Sequence, residues 1–158
     1  MSVNFILNGK PVTSNSPANT TLLDVLRCEM HLVGVKKGCE TGECGACTIL
    51  LDGQNVNSCL ILIGEIEGRS ITTIEGLAGS RELDVIQQAF IEKGAIQCGF
   101  CTPGMILTAK GLLNRTPNPT REQIREGLSG NLCRCTGYEQ IFEAVEYAVS
   151  LLSAQDTI

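Results

Sequence analysis

The sequence predicts an α+β protein in two parts: a small β-sheet packed on one helix, then a compact bundle of four short helices. Three observations carry that prediction. Before about Gly76, short β-patterned runs are separated by Asn-Gly and Asp-Gly turn signals. After it, apolar residues recur at helical spacing. Capping residues and prolines stand between the helical runs.

In chain order, Val3–Leu7 reads as a strand, Asn8-Gly9 as a hairpin turn, and a second short strand follows from Pro11. Thr21 with Asp24 resembles a capping box that opens a helix from Leu22 to about His31. A second hairpin takes Thr48–Leu51, Asp52-Gly53 and a returning strand over Asn55–Ile63. Ser70–Ile74 is a further β-branched strand.

The second part begins with Glu82–Lys93, whose Leu83, Ile86 and Phe90 share a face, and which ends at Gly94. Thr102-Pro103 reads as N-cap and first residue of a helix running to about Asn114. Thr116-Pro-Asn-Pro is a break, and Thr120 with Gln123 caps a third helix ending near Leu128. The fourth helix, about Tyr138 to Leu152, carries Ile141, Val145, Ala148, Val149 and Leu152 as an apolar stripe.

The 158 residues suit one domain or two small ones, with a radius of gyration of about 15 Å. Net charge is −5, without a basic stripe or a block of like charges, which argues against nucleic acid or an anionic membrane as partner. No apolar run approaches the ~18 residues of a membrane-spanning helix. The start, MSVNFILNGK, has no basic and apolar signal pattern, so the expected location is cytoplasmic. Reduced cysteines are the rule there, and nine cysteines then point to metal rather than to disulfides.

Cys39, Cys44, Cys47 and Cys59 give C-x4-C-x2-C with a fourth cysteine later, the plant-type [2Fe-2S] ligand spacing. A cysteine side chain is one carbon long, so the backbone must wrap closely round the cluster to deliver three thiolates. Gly38, Gly42 and Gly45 are expected to permit left-handed turns there and to aim N–H groups at the sulfurs. Cys59 is expected in the returning strand of the hairpin. Zinc is the alternative, but it prefers paired C-x2–4-C knuckles to one glycine-crowded loop of three.

Cys98-Gly-Phe-Cys101 and Cys133-Arg-Cys135 form the second set. Alone, a CxxC is compatible with a redox dithiol or half a zinc site. The C-x-C partner disfavours zinc. Both pairs directly precede predicted helix starts, where unpaired N–H groups favour an anionic cluster. Gly99, Gly130 and Gly137 are expected to allow close backbone approach, and Thr136 to cap the last helix. Cys28 falls off the apolar face of its helix and reads as a spare small residue rather than a third redox group. His31 reads as a helix-end residue; as the single histidine it leaves no Ser-His-Asp or HExxH arrangement.

Three stretches, GCETGECGACTILLDG, QCGFCTPGMILTAKGLL and SGNLCRCTGYEQI, together resemble the iron–sulfur subunit of the molybdenum hydroxylases. That family includes xanthine dehydrogenase, aldehyde oxidoreductase, nicotinate dehydrogenase and carbon monoxide dehydrogenase. The resemblance spans nearly the whole chain; only the connector Gly68–Leu83 looks individual. It implies an N-terminal β-grasp, plant ferredoxin-like domain over 1–76 and a C-terminal four-helix bundle domain over 77–158, each with one [2Fe-2S] cluster. It implies that Gln97 and Cys135 contact molybdopterin in a large partner subunit. A medium subunit binding FAD would take the electrons, with a purine or other N-heterocycle as substrate of the complex. Aldehyde or carbon monoxide oxidation, and a free-standing ferredoxin-like carrier, are the alternatives. The chain alone has no substrate-handling constellation, so it enters as an oxidoreductase subunit.

Overall fold

The computed structural model describes residues 2–79 and 82–155. Five strands, β1 (Val3–Leu7), β2 (Lys10–Ser14), β3 (Thr48–Leu51), β4 (Gln54–Asn57) and β5 (Ser70–Thr72), form one mixed sheet in the order β2-β1-β5-β3-β4. Strand β5 runs parallel to β1, with Leu7 opposite Ile71, and antiparallel to β3, with Leu51 opposite Ile71. Both hairpin turns have two left-handed central residues, Asn8 and Gly9 at φ 51° and 77°, Asp52 and Gly53 at 50° and 81°. That conformation twists the turn to match the strands, and Asn-Gly and Asp-Gly adopt it at least cost.

The predicted helix from Leu22 is shorter and wider than expected. Helix α1 is the single turn Leu22–Asp24, and Val25–Glu29 continues it with π-helical winding. Met30 N–H reaches back five residues to the Val25 carbonyl at 3.0 Å. The cause lies in the apolar pattern. Leu22, Leu23, Val25 and Leu26 are each at most 1 % exposed, and four buried positions in five exceed one α-helical stripe. Asp24 N–H donates to Thr21 Oγ1, as the capping pattern predicts. Cys28 is exposed, and His31 sits in the left-handed conformation just past the last turn.

Two strand expectations change. The returning strand stops at Asn57, and Ser58–Leu60 form a tight 3-10 turn, so Cys59 lies in a turn rather than a strand. The chain must leave the ladder there because Ser58 spends its N–H and hydroxyl on the Cys47 carbonyl. Strand β5 ends at Thr72: Asn8 takes the Thr73 N–H, and Ile74 opens the short helix α2 (Ile74–Leu77).

The second part holds α3 (Val85–Glu92), α4 (Thr102–Arg115), α5 (Arg121–Leu128) and α6 (Glu139–Gln155). The α3 start differs from the sequence expectation. Asp84 is the N-cap, accepting from Ile86 N–H at 2.9 Å, so Leu83 lies outside the helix and is half exposed. Residues 80 and 81 of the connector lie outside the described residues. At α4 the N-cap is Cys101, with Thr102 already helical. Thr120 and Gln123 cap α5 as predicted. A left-handed Tyr138, φ 71°, holds α6 back to Glu139.

Two cores result. One sits between the sheet and α1, around Phe5, Leu23, Leu26, Ile49 and Ile71, and takes in Cys47 and Cys59. The other fills the bundle around Phe90, Met105, Ile124, Ile141 and Val145. A fully buried side chain of this size contributes about 1.5–3 kcal/mol. Helix α4 belongs to both regions: nine of its residues are buried, and it packs on β3 and β4 as well as on α3 and α5. No helix among the described residues is long and apolar enough to cross a membrane.

Candidate metal centres

Cys39, Cys44 and Cys47 lie on the loop entering β3, and Cys59 on the turn leaving β4. Pairing of Thr48 with Asn57 brings the two ends together. Cys47 and Cys59 are buried side by side, at 2 % and 8 % exposure, while Cys39 and Cys44 are half-buried nearer the surface. The N–H groups of Thr41 and Cys44 each donate to Cys39 Sγ at 3.4 Å, and that of Cys39 donates to Cys44 Sγ at 3.4 Å.

The loop reverses through Glu40, Gly42 and Gly45, at φ 61°, 83° and 67°. Gly38 is not left-handed; its part is close approach, since a Cβ there would stand 2.8 Å from Cys44 Sγ. Lys37 pins the loop to α1 by pairing with Asp24 at 3.0 Å and Glu40 at 2.9 Å. The Thr41 hydroxyl and N–H, with the Cys44 N–H, hold the Cys39 thiol down to about 6. Burial, with Cys47 beside it, pushes Cys59 up to about 11, against an N–H bond from Gly42.

In the second set, Cys98 and Cys101 precede α4, and Cys133 and Cys135 precede α6. Cys135 Sγ lies 3.6 Å from Cys98 Sγ. Cys101 is paired with Cys133, and burial first, then that neighbour, pushes its thiol up to about 12. Burial opposes ionisation of Cys133 too, but the Thr136 hydroxyl and N–H outweigh it and hold the thiol low. Thr136 therefore serves the sulfur as well as the helix entry, donating its N–H to Cys133 Sγ at 3.4 Å and accepting from Tyr138 N–H at 3.2 Å. Tyr138 Oη accepts the Cys133 N–H at 2.9 Å. A cavity of about 360 Å³ opens over the four thiols, walled by Phe100, Leu132 and Tyr138. Gln97 is exposed and precedes Cys98 in the chain, but does not line this cavity. Beyond the adjacent residues, no other protein atom lies within 4 Å of where a Cβ would stand at Gly99, Gly130 or Gly137, and Gly99 and Gly137 are left-handed.

The eight thiols thus come together two by two: Cys39 with Cys44, Cys47 with Cys59, Cys98 with Cys135, Cys101 with Cys133. Among the described residues no three donors gather round one point for a single ion. Zinc, at about 2.3 Å from each sulfur, draws four together round one centre. Two pairs suit two bridged irons, with N–H donors already aimed at the anionic sulfurs. Thr102 Oγ1, beside Cys101, is the one buried side-chain polar atom among the described residues without a partner. Such an orphan fits a site whose acceptor arrives with the cofactor.

The two sites touch. Leu132 N–H, next to Cys133, donates to the Cys44 carbonyl at 2.9 Å. Asn131 is 5 % exposed and donates to the Gly45 carbonyl at 2.9 Å and Thr48 Oγ1 at 3.2 Å, while accepting from Thr108 Oγ1 at 2.8 Å. Gly104 of α4 lies directly on the Gly45 carbonyl, with no room for a Cβ. The sequence reading missed this junction. Its trace was present: Gly104, Thr108 and Gly111 recur at i, i+4 and i+7, a small and polar stripe on an otherwise apolar helix.

Comparison with known proteins agrees with this arrangement. Residues 5–77 match the 2Fe-2S iron-sulfur cluster binding domain family, and residues 73–146 the [2Fe-2S] binding domain family. The nicotinate dehydrogenase small FeS subunit of Eubacterium barkeri is 50% identical over 149 residues, covering 94% of this chain and 95% of that protein. The crystal structure of quinoline 2-oxidoreductase from Pseudomonas putida 86 superposes with a TM-score of 0.93 at 45% identity, over 100% of this chain and 98% of the matched chain. The aldehyde oxidoreductase of Desulfovibrio desulfuricans ATCC 27774 also gives 0.93, at 42% identity. There the match covers 98% of this chain but 17% of the longer one.

Proposed function

From the premise that the chain belongs to the iron–sulfur small subunits of the molybdenum hydroxylases, the family of xanthine dehydrogenase and aldehyde oxidoreductase, we propose how its residues carry electrons within such a complex. When bound, each [2Fe-2S] cluster accepts and returns one electron at a time. Cys39, Cys44, Cys47 and Cys59 would hold the first cluster, and Cys98, Cys101, Cys133 and Cys135 the second. The pairwise approach of the thiols is the observation that supports this assignment.

The N–H groups of Thr41, Cys44 and Thr136 steady the anionic sulfurs and raise the ease of reduction. Phe100, Leu132 and Tyr138 shelter the second site, while Cys98 and Cys135 keep one edge of it exposed. Gln97, exposed and next to Cys98 in the chain, and Cys135 would contact the molybdopterin of the large subunit. The first site delivers electrons to a medium subunit that binds FAD. The ferredoxin-like domain is taken as 1–76 and the helical domain as 77–158, in keeping with the two separate cores. The complex works in the cytoplasm on an N-heteroaromatic substrate, a reading favoured by relatives named for nicotinate and quinoline.

The test is metal analysis and electron paramagnetic resonance on the anaerobically purified complex. Two distinct signals after dithionite reduction, with equal iron and acid-labile sulfide, are expected. Zinc in native material, or a single paramagnetic centre, overturns the ligand assignment. Turnover of aldehydes but not of nicotinate, quinoline or purines overturns the substrate class alone.

A further inference from the structure

We infer that Asn131 is a positioning residue that sets the separation of the two iron–sulfur sites and thereby the rate at which an electron crosses between them. The inference rests on the ligand assignment above. An electron leaving the second site reduces the first by one electron, with no bond made or broken and no proton required. The rate then depends on how closely and firmly the two ligand frames are held.

Asn131 touches the frame at three places. Its Nδ2 binds the carbonyl of Gly45, which follows Cys44, and the hydroxyl of Thr48, which follows Cys47. Its own backbone stands two residues before Cys133. Thr108 of α4 donates to Oδ1 at 2.8 Å, so the amide is fixed with its donor side toward the first site. Nothing in the local chain calls for an asparagine here, because it caps no helix and closes no hairpin. A buried amide that bonds the first site's loop at its donor end and α4 at its acceptor end is instead a clasp. The absence of side chains at Gly45 and Gly104 lets the two backbones meet at the same spot.

The experiment uses the assembled complex with Asn131→Asp, Thr108→Val and Thr108→Ser. The carboxylate of Asn131→Asp is nearly isosteric but has no donor for the Gly45 carbonyl. Thr108→Val removes the bond that orients the amide, and Thr108→Ser restores it. Iron content and the two paramagnetic signals confirm that both clusters are present. The spin–spin splitting between them and the rate of electron transfer after pulsed reduction are then measured. Asn131→Asp and Thr108→Val are expected to weaken the splitting and slow the transfer about ten-fold. Substrate KM stays unchanged, and Thr108→Ser behaves as wild type. Splitting and rate within two-fold of wild type in both variants, with both clusters present, overturn the inference. A wild-type complex that lacks one cluster overturns the ligand assignment instead.

Discussion

The amide N–H of Leu132 donates to the carbonyl oxygen of Cys44 across 2.9 Å, joining a residue next to one cysteine set to a member of the other. The bond is backbone to backbone, and the Leu132 side chain is 58 % exposed. Deleting the side chain therefore leaves the bond alone, whereas proline deletes the donor. Leu132→Ala is expected to change stability by no more than about 0.5 kcal/mol in urea unfolding. Leu132→Pro should lose about 1–3 kcal/mol, from the lost backbone bond to Cys44 and the constraint of the proline ring. Equal losses in the two variants would assign the effect to the side chain.

Gly104 lies in the first turn of α4, where alanine ordinarily gains up to about 1 kcal/mol of helix propensity. Here the added Cβ meets the Gly45 carbonyl and comes within 3.1 Å of Asn131 Nδ2. Overpacking of this kind costs about 1–3 kcal/mol, so the net effect of Gly104→Ala is a loss. Gly130→Ala is the control, because nothing lies within 4 Å of its Cβ position. Thermal unfolding of both variants should show a lowered midpoint for Gly104→Ala only.

In the apoprotein the thiols differ in readiness to ionise. Cys39, held to about 6, is mostly thiolate at neutral pH, while Cys59 and Cys101, pushed to about 11 and 12, stay protonated. Alkylation of metal-free protein with iodoacetamide, followed by peptide mass mapping, should label Cys39 first, with a rate that rises through pH 6. Cys59 and Cys101 should resist until the pH exceeds 10. Preferential labelling of Cys59 at neutral pH would contradict this order.

Asp84 does two things at once. It caps α3, and it pairs with Lys110 of α4 at 2.7 Å, with its side chain 13 % exposed. Asp84→Asn keeps a cap and loses the ion pair, whereas Asp84→Ala loses both. The alanine variant should be about 1 kcal/mol less stable than the asparagine variant, the usual worth of an N-cap. Chemical denaturation of the pair, measured side by side, checks the difference.

Local chemistry made much of this structure readable from the sequence. Asn8-Gly9 and Asp52-Gly53 specify their turns because few other dipeptides tolerate two left-handed residues. Thr120 and Gln123 mark a helix start by the bonds they make to their own backbone. The spacing sorts eight cysteines into two sets, and within each set the thiols approach in pairs. What stayed hidden depends on distant partners. The Asn131 amide meets Gly45 across 86 positions, and no local pattern encodes that encounter. The widening after Asp24 follows from packing against the sheet, which overrides the helical preference of the segment. Asp84, rather than a residue nearer Glu82, starts α3 because its carboxylate also answers Lys110.

Helix α4 is largely covered: the sheet packs on one flank and other helices on another, with nine of its residues buried. The two halves are therefore not beads on a string that could be traded between proteins. Severing the chain between them would strip the sheet of its lid and leave the glycine-lined flank of the helix bare to water. Grafting either half onto a foreign scaffold would require carrying that helix along, so the smallest portable unit is the pair.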